Sequence, residues 1–516
     1  MSKKFTSTIA GASIFISLLG LISRGLGFIR EIIFANNFGL EKEFDLYLVG
    51  AVLPITINTI LLYIGQNYFI PEFQKINSSN QQHAQNYFKQ SILLFSAAGL
   101  ILALLLFFTS GMIVDFYMQS ADSASRETAL LVFKIFLVTI PFSAAISVLS
   151  ALLQSLYEFK YPAISILFLN IAIIILLLFL SDRFGVYVIP IGYVVGTFLQ
   201  FIYLLIKSRR YLNFDSLINS DGNNFYKSIL NSSIVIIILI ESMSQLYAIF
   251  DRYFYGQISS GGIASLNYGL IIWFLPVSII SISLATAVFP VITKAINNRA
   301  HQEIEKIYNE SISMNTFLLV PIAFILFFFG DIIIKIFFER GKFVENSTLI
   351  TFGVLKFYSL SLVFYSVYAV FNKIFYSINQ AKLLLLITVS GVILKFVLNF
   401  LFVGFQQEGL ALSTSISFIF FFVVSYVLLN KKLKIENQSL FIKDFLFHLL
   451  NSFISFGVIE IISNVLNRNE LSAELSKVLI FVMIYITNTL IIKHNAVIIT
   501  KRVYSRLNPL SYLKYN

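Results

Sequence analysis

The sequence predicts an all-α, polytopic integral membrane protein of about 14 transmembrane helices, built as two pseudo-symmetric six-helix lobes followed by two additional helices. Three observations predict it. Of the 516 residues, 58% are apolar and only 12% are charged, whereas soluble chains carry about 25% charged residues. Apolar segments long enough to cross ~30 Å of hydrocarbon recur from one end of the chain to the other. A proline pattern in the first half returns in the second. Backbone in lipid must satisfy its own polar groups, so these segments read as helices rather than open strands. The composition excludes a soluble multidomain enzyme, a coiled coil and a disordered chain.

In chain order the spans fall near residues 8–32, 44–68, 90–115, 129–155, 161–181, 185–206 and 228–250. They continue at 262–290, 313–337, 348–376, 382–404, 409–430, 443–465 and 474–493. An even number of crossings returns the chain to its starting side. Loops on the N-terminal side collect roughly 22 Lys and Arg, among them Lys75, Lys160, Arg209, Lys294 and Lys431, against 8 on the other side, among them Lys42, Arg126 and Arg340. That asymmetry predicts both termini in the cytoplasm. The expected organisation is a lobe over 1–210, a second over 226–430, two further helices over 443–493 and a basic cytoplasmic tail over 494–516.

The repeat supports the lobes. Leu53-Pro54 and Phe69-Ile70-Pro71 in the second span are matched by Leu275-Pro276 and Val288-Phe289-Pro290 in the eighth. Lys75 and Lys294 each follow the later proline by the same interval, and Asp45 precedes Pro54 as Asn267 precedes Pro276. The fourth and tenth spans end alike, in Leu153-Gln154-Ser155-Leu156-Tyr157 and Asn372-Lys373-Ile374-Phe375-Tyr376. Six helices return the chain to its starting side, so both halves share an orientation, which is a transporter architecture.

The net charge of +11 is spread through short clusters between apolar runs. This pattern suits an anionic leaflet, not nucleic acid. With no Cys, disulfides, thiolate metal sites and Cys nucleophiles drop out. His83, His301, His448 and His494 are scattered and expected near helix ends, with no pair at ligand spacing, so no metal site is expected. There is no G-x-x-x-x-G-K-[ST] phosphate loop and no supported catalytic triad, and no cofactor or enzyme activity is predicted.

Charges within spans carry the functional signal, because each costs about 2.5–3.5 kcal/mol to insert. The first span reads Ser23-Arg24-Gly25-Leu26-Gly27-Phe28-Ile29-Arg30-Glu31. Arg24 and Arg30 lie about 9 Å apart along the axis and about 120° apart around it. Gly25 and Gly27 permit close packing or a local break. Guanidinium groups offer planar bidentate donors for a diphosphate; in the structural alternative Arg30 pairs with Glu31 or snorkels outward, and Arg24 binds carbonyls at a helix break. Glu241 is the carboxylate inside the seventh span, with Lys134, Lys356, Lys373 and Lys395 as candidate partners. An ion-coupling site and a salt bridge between lobes are both open for it. Asp45, Asn58, Asn67, Asn170, Gln245, Asn267 and Asn399 could line a wet cavity or bond helix to helix.

The run from Ser23 to Glu31, followed by Phe38-Gly39, Asp45 and Leu53-Pro54, resembles the N-terminal signature of the MurJ/MviN family of lipid II flippases. The family lies within the superfamily of multidrug, oligosaccharidyl-lipid and polysaccharide exporters. The resemblance continues through Tyr268, Pro276, Pro290 and the Arg340-Gly341-Lys342-Phe343 turn. It implies two lobes around a cationic cavity, a groove for the lipid tail on the last two helices, and alternating access driven by Na+, H+ or the membrane potential. It also implies a bacterial cytoplasmic membrane, an undecaprenyl-diphosphate-linked glycan as substrate, and cell-wall synthesis proteins as candidate partners. On matching positions Ser23, Arg24, Arg30 and Asp45 inherit cavity roles. Three positions depart: Asn58 stands where the family has an Arg, Tyr63 where an acidic residue is expected, and Ile271 where the eighth span has an Arg. These departures keep other lipid-linked glycans, such as an O-antigen, capsule or exopolysaccharide unit, as the alternative. A cation-coupled small-molecule exporter is a further one.

Overall fold

Every regular element in the computed structural model is helical among the described residues, which are 9–118, 121–211, 232–463 and 471–492. Lys3, Lys4, Lys227, Arg468, His494 and the basic tail 494–516 lie outside them. The first part of the chain forms α1 (Ile9–Phe38), α2 (Lys42–Ile64), α3 (Ile70–Ser79), α4 (Gln81–Tyr117), α5 (Ser123–Leu137), α6 (Thr139–Ser155), α7 (Lys160–Phe184), α8 (Val188–Ser208) and α9 (Ser232–Tyr253). Then follow α10 (Gly262–Pro276), α11 (Ile282–Asn297), α12 (His301–Phe328), α13 (Gly330–Phe338), α14 (Glu345–Ser359) and α15 (Leu362–Ser377). The last are α16 (Ala381–Phe402), α17 (Gln406–Leu433), α18 (Leu440–Ser463) and α19 (Leu471–Ile491).

Among the described residues nine helical stretches are long and apolar enough to cross a membrane, or ten with the bent pair α14–α15. Two of these stretches, Lys160–Tyr211 and Ala381–Leu433, each hold two helices of at least 21 residues, α7–α8 and α16–α17. Their external surfaces carry large apolar side chains such as Phe108, Phe179 and Leu401, which in water would be a liability and in lipid are the required solvent-facing coat.

The chain divides into two compact units. The first comprises Met1–Ala264 with Arg340–Val344; the second comprises Ser265–Glu339 with Glu345–Asn516. In the first unit, α2 packs on α5, α6 and α9, and α4 packs on α6. Its core includes Phe69, Phe73, Tyr87, Phe88 and Leu149. In the second unit, α12 packs on α15 and α18, and α17 packs on α14, α15 and α16. The chain's only Trp, Trp273 on α10, is buried there against Tyr365 (5.2 Å) and Phe418 (5.4 Å). Phe324, Phe329, Ile459 and Phe481 tie α12 to α18 and α19.

Backbone details recur at matching points of the two halves. Both proline-bearing spans contain one π-turn, at Gly65–Phe69 after α2 and at Val277–Ser281 after α10. The helix α6 ends with Tyr157 at φ +61° and a Glu158 N–H donating to Leu153 (2.8 Å). The helix α15 ends with Asn379 at φ +57° and a Gln380 N–H donating to Phe375 (2.9 Å). These are the same wide C-terminal loop, which satisfies the last carbonyls of a helix. Between α7 and α8, Gly185 adopts φ +54°, ψ −138°; between α16 and α17, Gln406 adopts φ +58°, ψ −144°. That region is essentially reserved for glycine, so Gln406 holds its place under strain.

Candidate functional site

The first-span motif lies on α1, which runs unbroken from Ile9 to Phe38. The break anticipated at Gly25 and Gly27 does not occur, and neither glycine serves a close helix contact. A Cβ at Gly25 would meet nothing within 4 Å, and one at Gly27 only the Asn170 Oδ1 at 4.0 Å. Arg24 is exposed and Ser23 half-buried on this open stretch.

Arg30, two turns on, has a different environment. Its Nη2 pairs with Glu31 Oε1 at 2.6 Å, and Nη1 donates to Asn170 Oδ1 on α7 at 3.1 Å. The rings of Phe34 and Tyr193 flank the guanidinium, with centroids at 5.5 and 5.6 Å. The side chains of Arg30 and Glu31 are only 17% and 12% exposed. This is the structural pairing that the sequence left open: the charge is neutralised in place, and removing one partner of such a pair typically costs about 3–5 kcal/mol.

Asp45 is fully buried. Its carboxylate accepts from the backbone N–H of Gly261 (2.6 Å) and of Ala264 (2.7 Å), so it caps the N-terminus of α10. A carboxylate is the favoured group there, because the first N–H groups of a helix lack partners and carry the positive end of its dipole. Asn58 on α2 donates to Thr139 Oγ1 of α6 (2.7 Å), while its own Oδ1 is enclosed without a hydrogen-bond donor. Glu241 accepts from Gln245, one turn along α9 (3.0 Å), and lies within electrostatic reach of Tyr63 on α2.

Each lysine named with Glu241 has a neighbour within its own unit. Lys134 stands over the Phe107 ring (5.1 Å) and Lys356 over Phe352 (4.1 Å). Lys373 stands 5.9 Å from the centre of Phe289. Lys395 is fully buried and donates to Thr414 Oγ1 at 2.7 Å. Among the described residues no three His, Asp or Glu side chains gather as metal ligands.

Sequence reasoning missed a clasp in the first unit, where the Arg340–Val344 turn meets the end of α1. The Lys342 N–H donates to the Asn36 carbonyl (2.9 Å), and Lys342 Nζ pairs with Glu41 at 2.9 Å. Gly341 (φ +57°) presses its α-carbon on Asn36, and Gly39 (φ +52°) does the same on the backbone of Lys342; a Cβ at either would collide. Beside it Lys42 bonds Asp122 at 2.7 Å, and Asp122 caps α5 by accepting from Ser125. The Lys42 and Ser125 bonds hold the Asp122 carboxyl well below the usual carboxylate range. Burial, with Asp45 and Asp122 adding to it, pushes the nearby Tyr255 hydroxyl up to about 12. The signal for this clasp was the Arg340-Gly341-Lys342-Phe343 turn, whose partner, some 300 positions earlier, no local pattern reveals.

A family model described as lipid II flippase MurJ matches residues 34–483. The chain belongs to this family. A relative named probable lipid II flippase MurJ from Buchnera aphidicola subsp. Acyrthosiphon pisum (strain APS) is 29% identical over 437 residues, covering 83% of this chain and 85% of its own. The lipid II flippase MurJ of Thermosipho africanus (strain TCF52B) is 26% identical over 461 residues, covering 87% and 90%. Among solved structures, lipid II flippase MurJ in an inward closed conformation superposes with a TM-score of 0.79 at 24% identity, over 93% of this chain and 99% of that one. An inward-facing multidrug resistance MATE transporter gives 0.68 at 15% identity, over 79% and 94%. Both likenesses concern the fold. Within the MurJ family, then, this member has an exposed Arg24 on α1, and its Arg30 and Asp45 bond to Glu31, Asn170 and the backbone of Gly261 and Ala264.

Proposed function

We propose that this protein is a flippase that carries a polyprenyl-diphosphate-linked cell-wall precursor, lipid II, from the inner to the outer face of the bacterial cytoplasmic membrane by alternating access. Membership of the MurJ family supports the reading, and the observation that carries it is the exposed Arg24 on α1 beside open space at Gly25. A permanently charged planar fork matches a diphosphate, and an apolar span would not keep one exposed without a use for it. Ser23 adds a polar group for the headgroup, while Asn58, Arg30 and Asp45 hold the surrounding helices in place. Glu241, a carboxylate inside α9, is the residue assigned to ion coupling in this reading, with structural pairing as its alternative. Both termini face the cytoplasm in this reading, and the Asn36–Lys342 clasp faces outward and must part for release.

The experiment is rescue of a lipid II flippase depletion strain by the wild type and by Arg24→Ala, with membrane levels measured alongside. Rescue by the wild type and failure of Arg24→Ala at normal levels is the expected result. Full activity of Arg24→Ala removes the diphosphate role. A second reading, a flippase for another lipid-linked oligosaccharide, rests on Asn58 and Ile271 standing where the family resemblance implies Arg. It predicts failure in that strain and rescue of a polysaccharide-export mutant.

A further inference from the structure

The inner face of α18 is polar from Asp444 to Ser455, between the buried Phe441 and Ile459, and the flippase reading leaves it unused. Asp444, His448, Asn451, Ser452 and Ser455 recur at helical spacing, and all are buried. His448 was expected near a helix end; it lies two turns inside α18 and is 0% exposed. The Ser313 hydroxyl of α12 donates to Asp444. His448 Nδ1 meets the Tyr485 hydroxyl of α19 at 2.8 Å, and that hydroxyl donates to the Phe317 carbonyl of α12 at 2.8 Å. Asn451 bonds the Tyr485 carbonyl (3.0 Å) and Thr489 (2.9 Å).

These bonds fix the tautomer of the imidazole. A phenol has one proton, and Tyr485 gives it to Phe317, so its oxygen can only accept from His448. Nδ1 therefore carries the hydrogen, and Nε2 is the basic nitrogen of the ring. Asp444 stands one turn earlier on the same face of α18, the spacing at which helical side chains meet.

We propose that His448 is a proton-binding site: one proton from water adds at Nε2, Asp444 supplies the counter-charge, and proton occupancy sets how firmly α18 is tied to α12. No other covalent bond is made or broken in the step. Drawing the Asp444 carboxylate toward an imidazolium takes it from Ser313, which loosens α18 against α12. From α12, Ser313 and the Phe317 carbonyl meet this face, with Glu310 one turn before Ser313 and Glu305 capping the Glu436 and Asn437 N–H groups ahead of α18. From α19 the titratable group is Tyr485, and α18 itself adds Lys443.

The test uses the full chain in lipid nanodiscs. A triple variant His83→Gln, His301→Gln, His494→Gln leaves His448 as the sole histidine, and its ring nitrogens are followed by NMR from pH 8 to pH 5. The expected spectrum shows an Nδ1–H neutral ring at pH 8 that becomes doubly protonated within this range. A ring that stays neutral to pH 5, or that starts as the Nε2–H tautomer, overturns the proposal. Amide exchange of residues 440–455, corrected for its intrinsic pH dependence, is the second readout. It should rise several-fold at the acid end in the wild type and stay flat in His448→Asn, whose amide can still donate to Tyr485. It should also stay flat in Asp444→Asn, whose amide oxygen still accepts from Ser313 but carries no charge to be drawn to an imidazolium. An equal acid response in His448→Asn and the wild type also overturns it.

Discussion

Arg24 and Arg30 carry the same charge six residues apart, yet their surroundings predict opposite phenotypes. Arg24→Ala should abolish complementation at normal membrane level, and Arg24→Lys should impair it strongly, because an ammonium keeps the charge but loses the bidentate fork. Arg30→Ala should instead deplete folded protein, since it strands the Glu31 carboxylate with only 12% exposure, at a cost of about 3–5 kcal/mol. Adding Glu31→Gln should recover part of that level, measured by quantitative blotting of membranes. Gln406 gives a prediction of the opposite sign. Its backbone at φ +58°, ψ −144° costs a side chain about 1–3 kcal/mol that glycine avoids. Gln406→Gly should therefore raise the thermal unfolding temperature, as Gly185 already permits at the matching point. The sequence showed which charges lie in spans but not which are satisfied, because Asn170 and Tyr193 reach Arg30 from helices far along the chain.

At the scale of elements, the Asp45 carboxylate of α2 holds the backbone at Gly261 and Ala264, within the first unit. Asp45→Ala leaves two buried N–H groups at the start of α10 without acceptors, at about 1–3 kcal/mol each, and should lower the unfolding temperature more than Asp45→Asn, which keeps one acceptor. The start of α5 adds a pH dependence. Asp122 is held below its ordinary value of about 3.8 by Lys42 and Ser125. Its contribution is therefore complete above that value and is lost as pH falls through the lower folded one. Amide exchange at residues 123–127 should be independent of this group from pH 5 to 8 and rise only in stronger acid, a response that Asp122→Asn should lack. Helices were legible because lipid leaves the backbone no alternative, and the repeat was legible in Pro54 and Pro276. The role of Asp45 was not, because its donors Gly261 and Ala264 lie more than 200 positions away; an acidic residue near a span's end reads alike whether it caps a helix or lines a cavity.

For the whole molecule, the topology and the clasp can be tested together. The chain has no Cys, so single-cysteine variants label without background. In intact cells Lys342→Cys should react with an impermeant reagent and Lys432→Cys should not, as the Lys/Arg asymmetry requires. Gly341→Ala places a methyl group against Asn36 and a side chain at φ +57°, a penalty of about 1 kcal/mol or more. It should raise amide exchange over residues 36–45 and change transport while the membrane level holds. The burial of Trp273 among Tyr358, Tyr365 and Phe418 has an optical consequence. With a single indole in the chain, all tryptophan emission comes from one point on α10. That emission should be blue-shifted in the native state and move to the red if water reaches the ring. The chromophore is already part of the chain, so a change in the second unit during turnover can be timed by stopped-flow fluorescence without attaching a dye.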